Sequence, residues 1–377
     1  MINLDEYISC IDNVIYSIKN ILYEKDSSIF DKIDFYNDDI FLEPLLFSAI
    51  LNDNDIDIER SLMSYKDNSL IILNNKENIY IPNIGYLKFH KNIPVDTSIY
   101  IKKKNNILSV TDKYENEIQY KIDPIIYIHS NIEFINKNDR LFENLFIDKD
   151  EKVIEVDFMD KEPYEKDFIK ALDILKKYSP PFYNQLILSL KKIIFFRGNS
   201  YCFSTIKVHN CIFFNVNESV NDIYFLEHLL HEGGHIIFNN ITFESKNDLF
   251  KYNHKTLFKD IKGFEKEHGD LYSRFHGIFT HYIISSNFYE FLKKGIYKDD
   301  QKIKELEGRF CFDMNKYKIS LDLFSKNILS EKGYRLYYIF LSKFNEIQNN
   351  SSISIKTYDL SNQNYMFSFD KLCESNP

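Results

Sequence analysis

The chain has 377 residues, of which 44% are apolar and 27% are charged, and it carries a formal net charge of −9. This length and composition provide for a substantial hydrophobic core, which excludes intrinsically disordered chains and small disulfide-dependent domains. The acidic balance lacks the electrostatic footprint of a nucleic-acid-binding protein, so we expect no nucleic-acid partner.

Cysteine usage and the apolar pattern predict the cellular compartment. The five cysteines are scattered, without a C-x-x-C pair, at Cys10, Cys202, Cys211, Cys311 and Cys373. A disulfide framework or a cysteine-based zinc site is not expected from them, which favours a reducing compartment. The opening residues, MINLDEYISC, are acidic where a secretory signal is basic, and no apolar run approaches the ~18 residues of a membrane-spanning helix. We expect a soluble cytoplasmic protein without a membrane partner.

The first third of the chain shows helical and then strand patterns. Apolar residues at helical spacing predict a helix over residues 1–24, and a second short helix is expected around residues 40–52. From residue 69 to about residue 133, β-branched and aromatic runs separated by Asn, Asp and Lys predict antiparallel strands. These runs are SLIIL, NIYIP, TSIYIKK, NILSVTD, EIQYKI and PIIYIHS.

The remaining chain is predicted to be mainly helical. Helical periodicity covers residues 163–194 with a break at Pro180-Pro181, and the segments SYCFSTIK and CIFFNVN then predict two strands. Helices are expected from there to about residue 347. In the tail that follows, SISIKTYDL and NYMFSF are expected to return as strands.

Together these patterns predict an α+β protein with two regions. Residues 1–150 are expected to form a mixed α/β region that contains strands, and residues 151–377 a mainly helical region with a metal site. The first region is the expected place for recognising a peptide, by addition of a peptide strand to a sheet.

One motif in the helical region carries chemistry. The segment YFLEHLLHEGGHIIF contains an H-E-x-x-H sequence formed by His231, Glu232 and His235. Four residues of α-helix correspond to about 400° of rotation, so both imidazoles leave one helix face about 6 Å apart and are able to bind one metal ion. Glu232 lies one step round the helix, where a carboxylate acts as a base on a metal-bound water or supports a ligand.

Three features favour a metal site over structural histidines. The motif lies within a strongly apolar segment, where imidazoles without partners would cost stability. Seven of the ten histidines fall between residues 228 and 281. The adjacent Gly233 and Gly234 each cost about 1 kcal/mol relative to alanine inside a helix, which indicates that another group approaches this backbone closely.

The third metal ligand separates the classes of HExxH protein. The metzincin pattern requires a glycine and a histidine where this chain has Phe238 and Ile241, so that class is excluded. No downstream glutamate has the context typical of a gluzincin. The best candidate is His276, in an apolar helical segment 41 residues after His235. His281, five residues further on, points about 140° away from His276 on a helix.

The other histidines of this part of the chain have different surroundings. His254 and His268 lie in polar, Lys-rich segments that are typical of a protein surface. His228 is one turn before His231 on the same helix face. Its position is equally compatible with a structural role and with a place beside the metal or the substrate.

Three segments carry a resemblance to a known family. Residues 227–235, EHLLHEGGH, resemble the E-x-L-x-H-E-x-x-H core of the HExxH-motif peptide-modification proteins. The segment FHGIF around His276 is similar to that family's L-H-G segment with two following apolar residues. Residues 329–335, LSEKGYR, are similar to its L-T-x-x-G-R segment with one residue inserted. The resemblance covers about residues 220–340.

The resemblance implies an Fe(II)- and 2-oxoglutarate-dependent β-hydroxylase that acts on side chains of a ribosomally made precursor peptide. It implies His231, His235 and His276 as the metal ligands. Three neutral imidazoles leave three positions of an octahedral iron ion for 2-oxoglutarate and O₂.

An oxygenase of this kind requires further residues at the site. The distal carboxylate of 2-oxoglutarate requires a cation, for which Arg197, Arg274 and Arg335 are candidates. Glu227 precedes His231 by one turn and is expected to orient that ligand.

Two other functions stay open. A zinc metallopeptidase would use Glu232 as the general base for peptide-bond hydrolysis, with zinc on His231, His235 and a third residue. A non-catalytic peptide-binding protein would carry the same motif as a vestige.

Overall fold

The computed structural model contains two compact units. The N-terminal unit comprises Ile2–Ile169 and Gln185–Val220, and the C-terminal unit comprises Lys170–Asn184 and Asn221–Pro377. Helices and sheets are both present, which confirms the α+β class predicted from the sequence. The described residues are 2–66, 69–74, 79–89, 98–104, 107–142, 144–148, 150 and 152–377.

Three helices open the N-terminal unit. They are α1 (Leu4–Lys25), α2 (Pro44–Leu51) and α3 (Asp55–Leu62). The first begins at Asn3, whose side-chain oxygen accepts a hydrogen bond of 2.9 Å from the backbone N–H of Glu6 in a capping box. Helices α1 and α2 confirm the two helices predicted for this part of the chain.

Five of the runs predicted as antiparallel strands, together with one strand that was not predicted (Gly85–Phe89), form two three-stranded sheets. Their strands are β1 (Ser69–Asn74), β2 (Ile79–Ile81), β3 (Gly85–Phe89), β4 (Ser98–Lys104), β5 (Ile107–Thr111) and β6 (Tyr120–Asp123). The strand orders are β1-β4-β5 and β2-β3-β6, and all pairs are antiparallel, as predicted. Asn78, Thr97 and Asn106, at the starts of three runs, lie outside the described residues.

A five-stranded sheet completes the N-terminal unit. Its strands are β7 (Ile126–His129), β8 (Ile132–Ile135), β9 (Asp157–Phe158), β10 (Lys192–Arg197) and β11 (Cys211–Asn215). The order is β11-β10-β8-β7, and β9 pairs with β10. Strand β10 runs parallel to both β8 and β11, which is why its sequence KIIFFR is nearly continuous in apolar residues. Strands β7 and β11 confirm the predicted runs PIIYIHS and CIFFNVN.

Two helices link β9 to β10. They are α4 (Glu165–Tyr178) and α5 (Pro180–Ser189), and they confirm most of the helical stretch predicted over residues 163–194 and its break at the proline pair. The end of that prediction is wrong, because residues 192–194 lie in β10, where they pair with β8 and β11. Pro180 takes the first position of α5, where the missing N–H of proline costs nothing. Both helices cross the division between the units. The strand-rich unit therefore extends to Val220, whereas the sequence places a division at residue 150, and peptide recognition by residues 1–150 stays a prediction.

One predicted strand before the motif is wrong. The segment SYCFSTIK contributes a single antiparallel bridge, between Phe203 and Phe213, instead of a strand. The two rings stack with a centroid distance of 4.3 Å. Thr205 then caps a 3-10 turn at Ile206–Val208. The side-chain cap competes with strand pairing for the backbone groups of this segment.

A cluster of buried charges lies at the start of β10. Nζ of Lys192 is 2.5 Å from the carboxylate of Glu133 on β8 and 3.2 Å from that of Glu43, which caps α2. Lys192 also donates a hydrogen bond of 2.9 Å to the hydroxyl of Tyr80 on β2. Burial opposes the charge of Lys192, but the two carboxylates outweigh it and raise the pKa of the ammonium group above its usual value. The cluster joins α2 to the strands.

The C-terminal unit contains the helices predicted up to about residue 347 and a short final helix that was not predicted from the sequence. They are α6 (Asp222–Thr242), α7 (Leu271–Lys294), α8 (Asp300–Asp322), α9 (Glu331–Asn350) and α10 (Phe369–Ser375). None of the helices described is long and apolar enough to cross a membrane.

The strands predicted for the tail are wrong. Residues 351–368 form turns and bends, and α10 begins at the last residue of NYMFSF. The side chains of Ser351, Ser354 and Asp359 each accept a hydrogen bond from the backbone N–H two residues further on. Such local bonds satisfy the backbone within turns and compete with strand pairing.

Candidate metal centre

The HExxH motif lies within α6, whose start is fixed by polar contacts. The side-chain oxygen of Asn221 accepts hydrogen bonds of 2.9 and 3.0 Å from the backbone N–H groups of Ile223 and Tyr224. Asp222 is fully buried at the first helical position and pairs with Lys170 at 2.8 Å. Its carboxylate also suits the positive end of the helix dipole.

Helix α7 packs antiparallel to α6 along the motif. Thr242, at the end of α6, has its Oγ1 2.7 Å from the hydroxyl of Tyr272, which lies at the start of α7. Further back along α6, a Cβ at Gly234 would lie 3.5 Å from Cγ2 of Thr280, further along α7. Helix α7 is therefore the neighbour that approaches the motif glycines closely.

The two helices bring His231, His235 and His276 into contact. Nε2 of His235 lies 3.2 Å from Nε2 of His231, and Nδ1 of His235 lies 2.9 Å from Nε2 of His276. The ring centres are 4.9 Å apart in the first pair and 4.3 Å apart in the second. The three residues that the sequence singles out as ligands thus lie side by side.

Desolvation and neighbouring imidazoles keep the two motif histidines uncharged. Desolvation, together with repulsion from His235 and His281, lowers the pKa of His231 well below its usual value. Desolvation and the neighbouring His281 lower the pKa of His235 to about 4. Both imidazoles are therefore neutral at pH 7 and keep a lone pair that is able to bind a metal ion.

The ring nitrogens of His231, His235 and His276 do not all point towards one common position. In the described part of the chain, no three His, Cys, Asp or Glu side chains are placed to hold a metal ion as they stand. One cause is visible at His235, which faces His231 and His276 through its two different ring nitrogens. An imidazole offers only one of them to a given ion.

The distances within the α6 pair nevertheless suit coordination. With metal–nitrogen bonds of about 2.0–2.1 Å, two imidazoles on one ion have ring centres about 4.5–6.5 Å apart, and nitrogens about 2.9–3.4 Å apart when they are adjacent ligands. His231 and His235, with ring centres 4.9 Å and nitrogens 3.2 Å apart, fall within both ranges. The pair therefore fits one ion, and reorientation of a side chain on α7 would supply a third donor.

Two glutamates of α6 are buried next to the histidines in sequence. Glu232 and Glu227 are each less than a tenth exposed. Glu227 pairs with the guanidinium of Arg309 on α8, and this pairing lowers the pKa of Glu227 against the effect of burial. Arg309 also donates hydrogen bonds of 2.9 and 2.8 Å to Glu305. Glu227, which is expected to orient His231, is thus held in place by an arginine.

His228 is buried on the same helix. Its ring centre lies 4.3 Å from that of Tyr224, and its Nδ1 has no hydrogen-bond partner in the described part of the chain. Burial lowers its pKa to about 4. A structural role and a role facing a bound molecule both remain compatible with this position.

The three arginines predicted to anchor a carboxylate have other partners. Arg335 is 76% exposed and pairs with the glutamate one turn earlier on α9. Arg274, on α7, donates a hydrogen bond of 2.7 Å to a backbone carbonyl of the preceding loop. Arg197 ends β10 in the N-terminal unit and pairs with Glu218 at 3.2 Å. The role of each as an anchor stays a prediction.

Helix α8 carries a row of buried charged residues that we did not predict from the sequence. Glu305, Arg309 and Asp313 follow one another at intervals of four residues, and all three are buried. Oδ1 of Asp313 lies 3.1 Å from Nδ1 of His281, whose ring centre is 6.1 Å from that of His231. Charges repeated at a helical interval among apolar residues are the signal that would have revealed this row.

No protein-family model matches this chain, and no curated protein is significantly similar to it. What the site does is therefore inferred from its own side chains. These are the two motif imidazoles of α6, two further imidazoles on α7 and the charged row on α8.

Proposed function

We propose that this chain is a metal-dependent oxygenase that uses Fe(II) and 2-oxoglutarate to hydroxylate Cβ of side chains in a ribosomally made precursor peptide. The observation that carries the proposal is the contact of the partly buried His231 and His235 of α6 with each other and with the buried His276 of the antiparallel helix α7. Imidazoles that are removed from water without a suitable partner lower the stability of the fold. A transition-metal ion is a partner that suits a set of imidazole nitrogens. The resemblance of residues 220–340 supplies the class of reaction.

The histidines have distinct roles in this function. His231 and His235 hold the metal through Nε2, and an imidazole of α7 completes the set. The resemblance assigns that third position to His276. When bound, iron with its co-substrate supplies the oxidising power that converts a C–H bond into C–OH. An all-imidazole set adds no negative charge, which favours the binding of an anionic co-substrate at the open positions.

The buried acidic residues support the metal ligands. Glu232 follows His231 directly, where a carboxylate reaches a water or a ligand beside the metal. Arg309 holds Glu227 one turn before His231 and thereby restrains rotation of α6 about its axis. A metal-binding helix face needs such restraint, because a displacement of about 1 Å already weakens a site.

The first test is anaerobic reconstitution of the whole protein with Fe(II), followed by 2-oxoglutarate. A charge-transfer absorption band in the middle of the visible range is expected, and it should be absent in His231→Ala. Admission of O₂ should then convert 2-oxoglutarate to succinate even without a peptide. His254→Ala is the matched control, because His254 hydrogen-bonds Asn247 outside the motif, and this variant should keep the band.

Other outcomes would assign a different function. A folded, iron-loaded protein without the band would overturn the oxygenase. Tightly bound zinc with hydrolysis of casein, abolished in Glu232→Gln, would make the chain an HExxH metallopeptidase. A protein that binds neither metal would match a non-catalytic peptide-binding role.

A further inference from the structure

His235 faces its two neighbouring histidines through different ring nitrogens. Its Nε2 faces Nε2 of His231 at 3.2 Å, a separation that suits two nitrogens on one ion. Its Nδ1 then points away from that ion and faces Nε2 of His276 at 2.9 Å. A metal-bound imidazole usually donates its other ring N–H to an acceptor that fixes its orientation. His276 is placed as that acceptor.

His281 approaches the motif pair at its other end. Its ring centre is 6.1 Å from that of His231, with the ring planes inclined at 76°. This distance lies towards the wide end of the range of about 4.5–6.5 Å for two imidazoles on one ion, so His281 is a side chain on α7 whose reorientation would supply the third donor. Because α6 and α7 are antiparallel, His276 lies beside His235 and His281 beside His231. The five-residue interval on α7 thus brings both imidazoles to the motif.

Asp313 gives His281 the partner that metal ligands typically have. Its Oδ1 lies 3.1 Å from Nδ1 of His281, and both residues are buried. A neutral imidazole that donates Nδ1–H to this carboxylate presents its lone pair at Nε2. Oδ2 of Asp313 has no hydrogen-bond partner in the part of the chain that the structure describes. Burial of a carboxylate lowers the stability of the fold, and a metal ion bound at Nε2 of His281 would offset this cost.

We propose that His281, held by Asp313, is the ligand that α7 supplies to a metal bound by His231 and His235, while His276 supports His235 through its Nδ1. This assignment rests on the proposed function in one respect: it requires a bound metal ion. It does not depend on which reaction that metal supports.

The test is the metal affinity of the whole protein, measured with Zn²⁺ and Co²⁺ by competition against a chromophoric chelator. Loss of a ligand in His281→Ala should weaken binding by at least ~100-fold, and Asp313→Asn by about 10–100-fold, as is usual for the carboxylate behind a metal-bound histidine. His276→Ala, which loses only a support, should weaken binding by about 10-fold. His254→Ala is the control and should bind like the wild type.

The visible absorption of bound Co²⁺ distinguishes a lost ligand from a lost support. At saturating Co²⁺ the spectrum should change in His281→Ala, because the donor set changes, and should be retained in His276→Ala. The opposite pattern, with the spectrum changed in His276→Ala and wild-type affinity in His281→Ala, would overturn the assignment.

Two further variants keep the test decisive if His281→Ala does not fold. His281→Gln keeps a similar volume and a donor for Asp313, and Asp313→Asn keeps the shape of the partner. Weakened binding in both, at unchanged circular dichroism, supports the assignment, and wild-type affinity in either overturns it. A wild-type protein that shows the expected Co²⁺ pattern but no band with Fe(II) and 2-oxoglutarate retains His281 as a ligand and refutes the oxygenase. The two failures are therefore separable.

Discussion

Arg309 and Glu305, one turn apart on α8, are joined by two hydrogen bonds of 2.9 and 2.8 Å to the same carboxylate oxygen. The guanidinium also pairs with Glu227 on α6, and all three side chains are buried. Burial opposes the charge of Arg309, but the two carboxylates outweigh it and raise the pKa of the guanidinium. The helix that carries the motif is thus tied to α8 by a buried ionic group.

Removal of Arg309 should therefore be strongly destabilising. Arg309→Ala leaves Glu227 and Glu305 buried without a cation, which is expected to lower the free energy of unfolding by about 3–5 kcal/mol. Urea unfolding at pH 7 measures this loss. Arg335→Ala, which breaks a highly exposed pair, is the matched control and should leave stability unchanged. A loss below about 1 kcal/mol in Arg309→Ala would show that the buried pairs do not hold α6 and α8 together.

The apo protein should lose stability on acidification through His228. Burial lowers the pKa of His228 to about 4, whereas the unfolded chain has the ordinary value of 6.5. The unfolded state therefore binds the proton first as the pH falls. The stabilising contribution is fully present above about pH 6.5 and is lost towards pH 4, by about 3 kcal/mol in total.

The measurement compares wild type with His228→Leu in urea at pH 7.5 and pH 4.5, with a chelator present. The difference in unfolding free energy between the two pH values should be smaller in the variant by about 2–3 kcal/mol. In His254→Ala, where the replaced imidazole lies outside the core and its pKa is lowered by slight desolvation and nearby lysines, the pH dependence should change much less than in His228→Leu. Equal pH dependence of wild type and His228→Leu would mean that His228 is not buried as a neutral imidazole.

Substitution by alanine should have opposite effects on stability at two glycines, one in α7 and one in α9. A Cβ at Gly333, near the start of α9, would overlap the backbone carbonyl oxygen of Leu249. Gly333→Ala should therefore cost about 1–3 kcal/mol, because backbone must shift. A Cβ at Gly277, inside α7, meets no atom within 4 Å, so Gly277→Ala should stabilise by about 0.5–1 kcal/mol. Thermal unfolding of both variants checks the pair, and equal effects would contradict the close approach at Gly333.

Removing the cation from the buried cluster at Lys192 should be strongly destabilising, as it is expected to be for Arg309. Lys192→Met leaves Glu43 and Glu133 buried without a cation and is expected to cost about 3–5 kcal/mol at pH 7. Burial already raises the pKa of Glu43, so a protonated carboxyl group relieves part of this cost at lower pH. The loss measured in urea should be smaller at pH 5 than at pH 8. Adding Glu43→Gln and Glu133→Gln should recover more than half of it.

The sequence was sufficient for most helices but not for the sheet topology. Helix α6 was predictable because Asn221 caps it and apolar residues continue through it. The parallel pairing of β8 with β10 was not, because strands so distant in the chain carry no local signal for their partner. The segment SYCFSTIK has strand-like residues, yet capping by Thr205 and a single bridge at Phe203 decide its conformation.

The candidate site was predictable only where one helix carries it. The interval of four residues identifies His231 and His235, and the local context points to His276. The partners on α8 could not be predicted in this way. Arg309 reaches Glu227 across 82 residues of sequence, and the rotation of α7 that places His281 beside the motif is set by packing.

The C-terminal unit is built from two separate stretches of sequence, Lys170–Asn184 and Asn221–Pro377. Residues 185–220, with β10 and β11, interrupt it. The first stretch supplies Lys170, which pairs with the buried Asp222 at the start of α6 alongside Lys302 of the second stretch. A gene fragment beginning at Asn221 would encode all the histidines of the motif region but would leave that carboxylate without this lysine. A single crossover between genes therefore cannot transfer the histidine-bearing unit without also transferring residues 185–220 of the other unit.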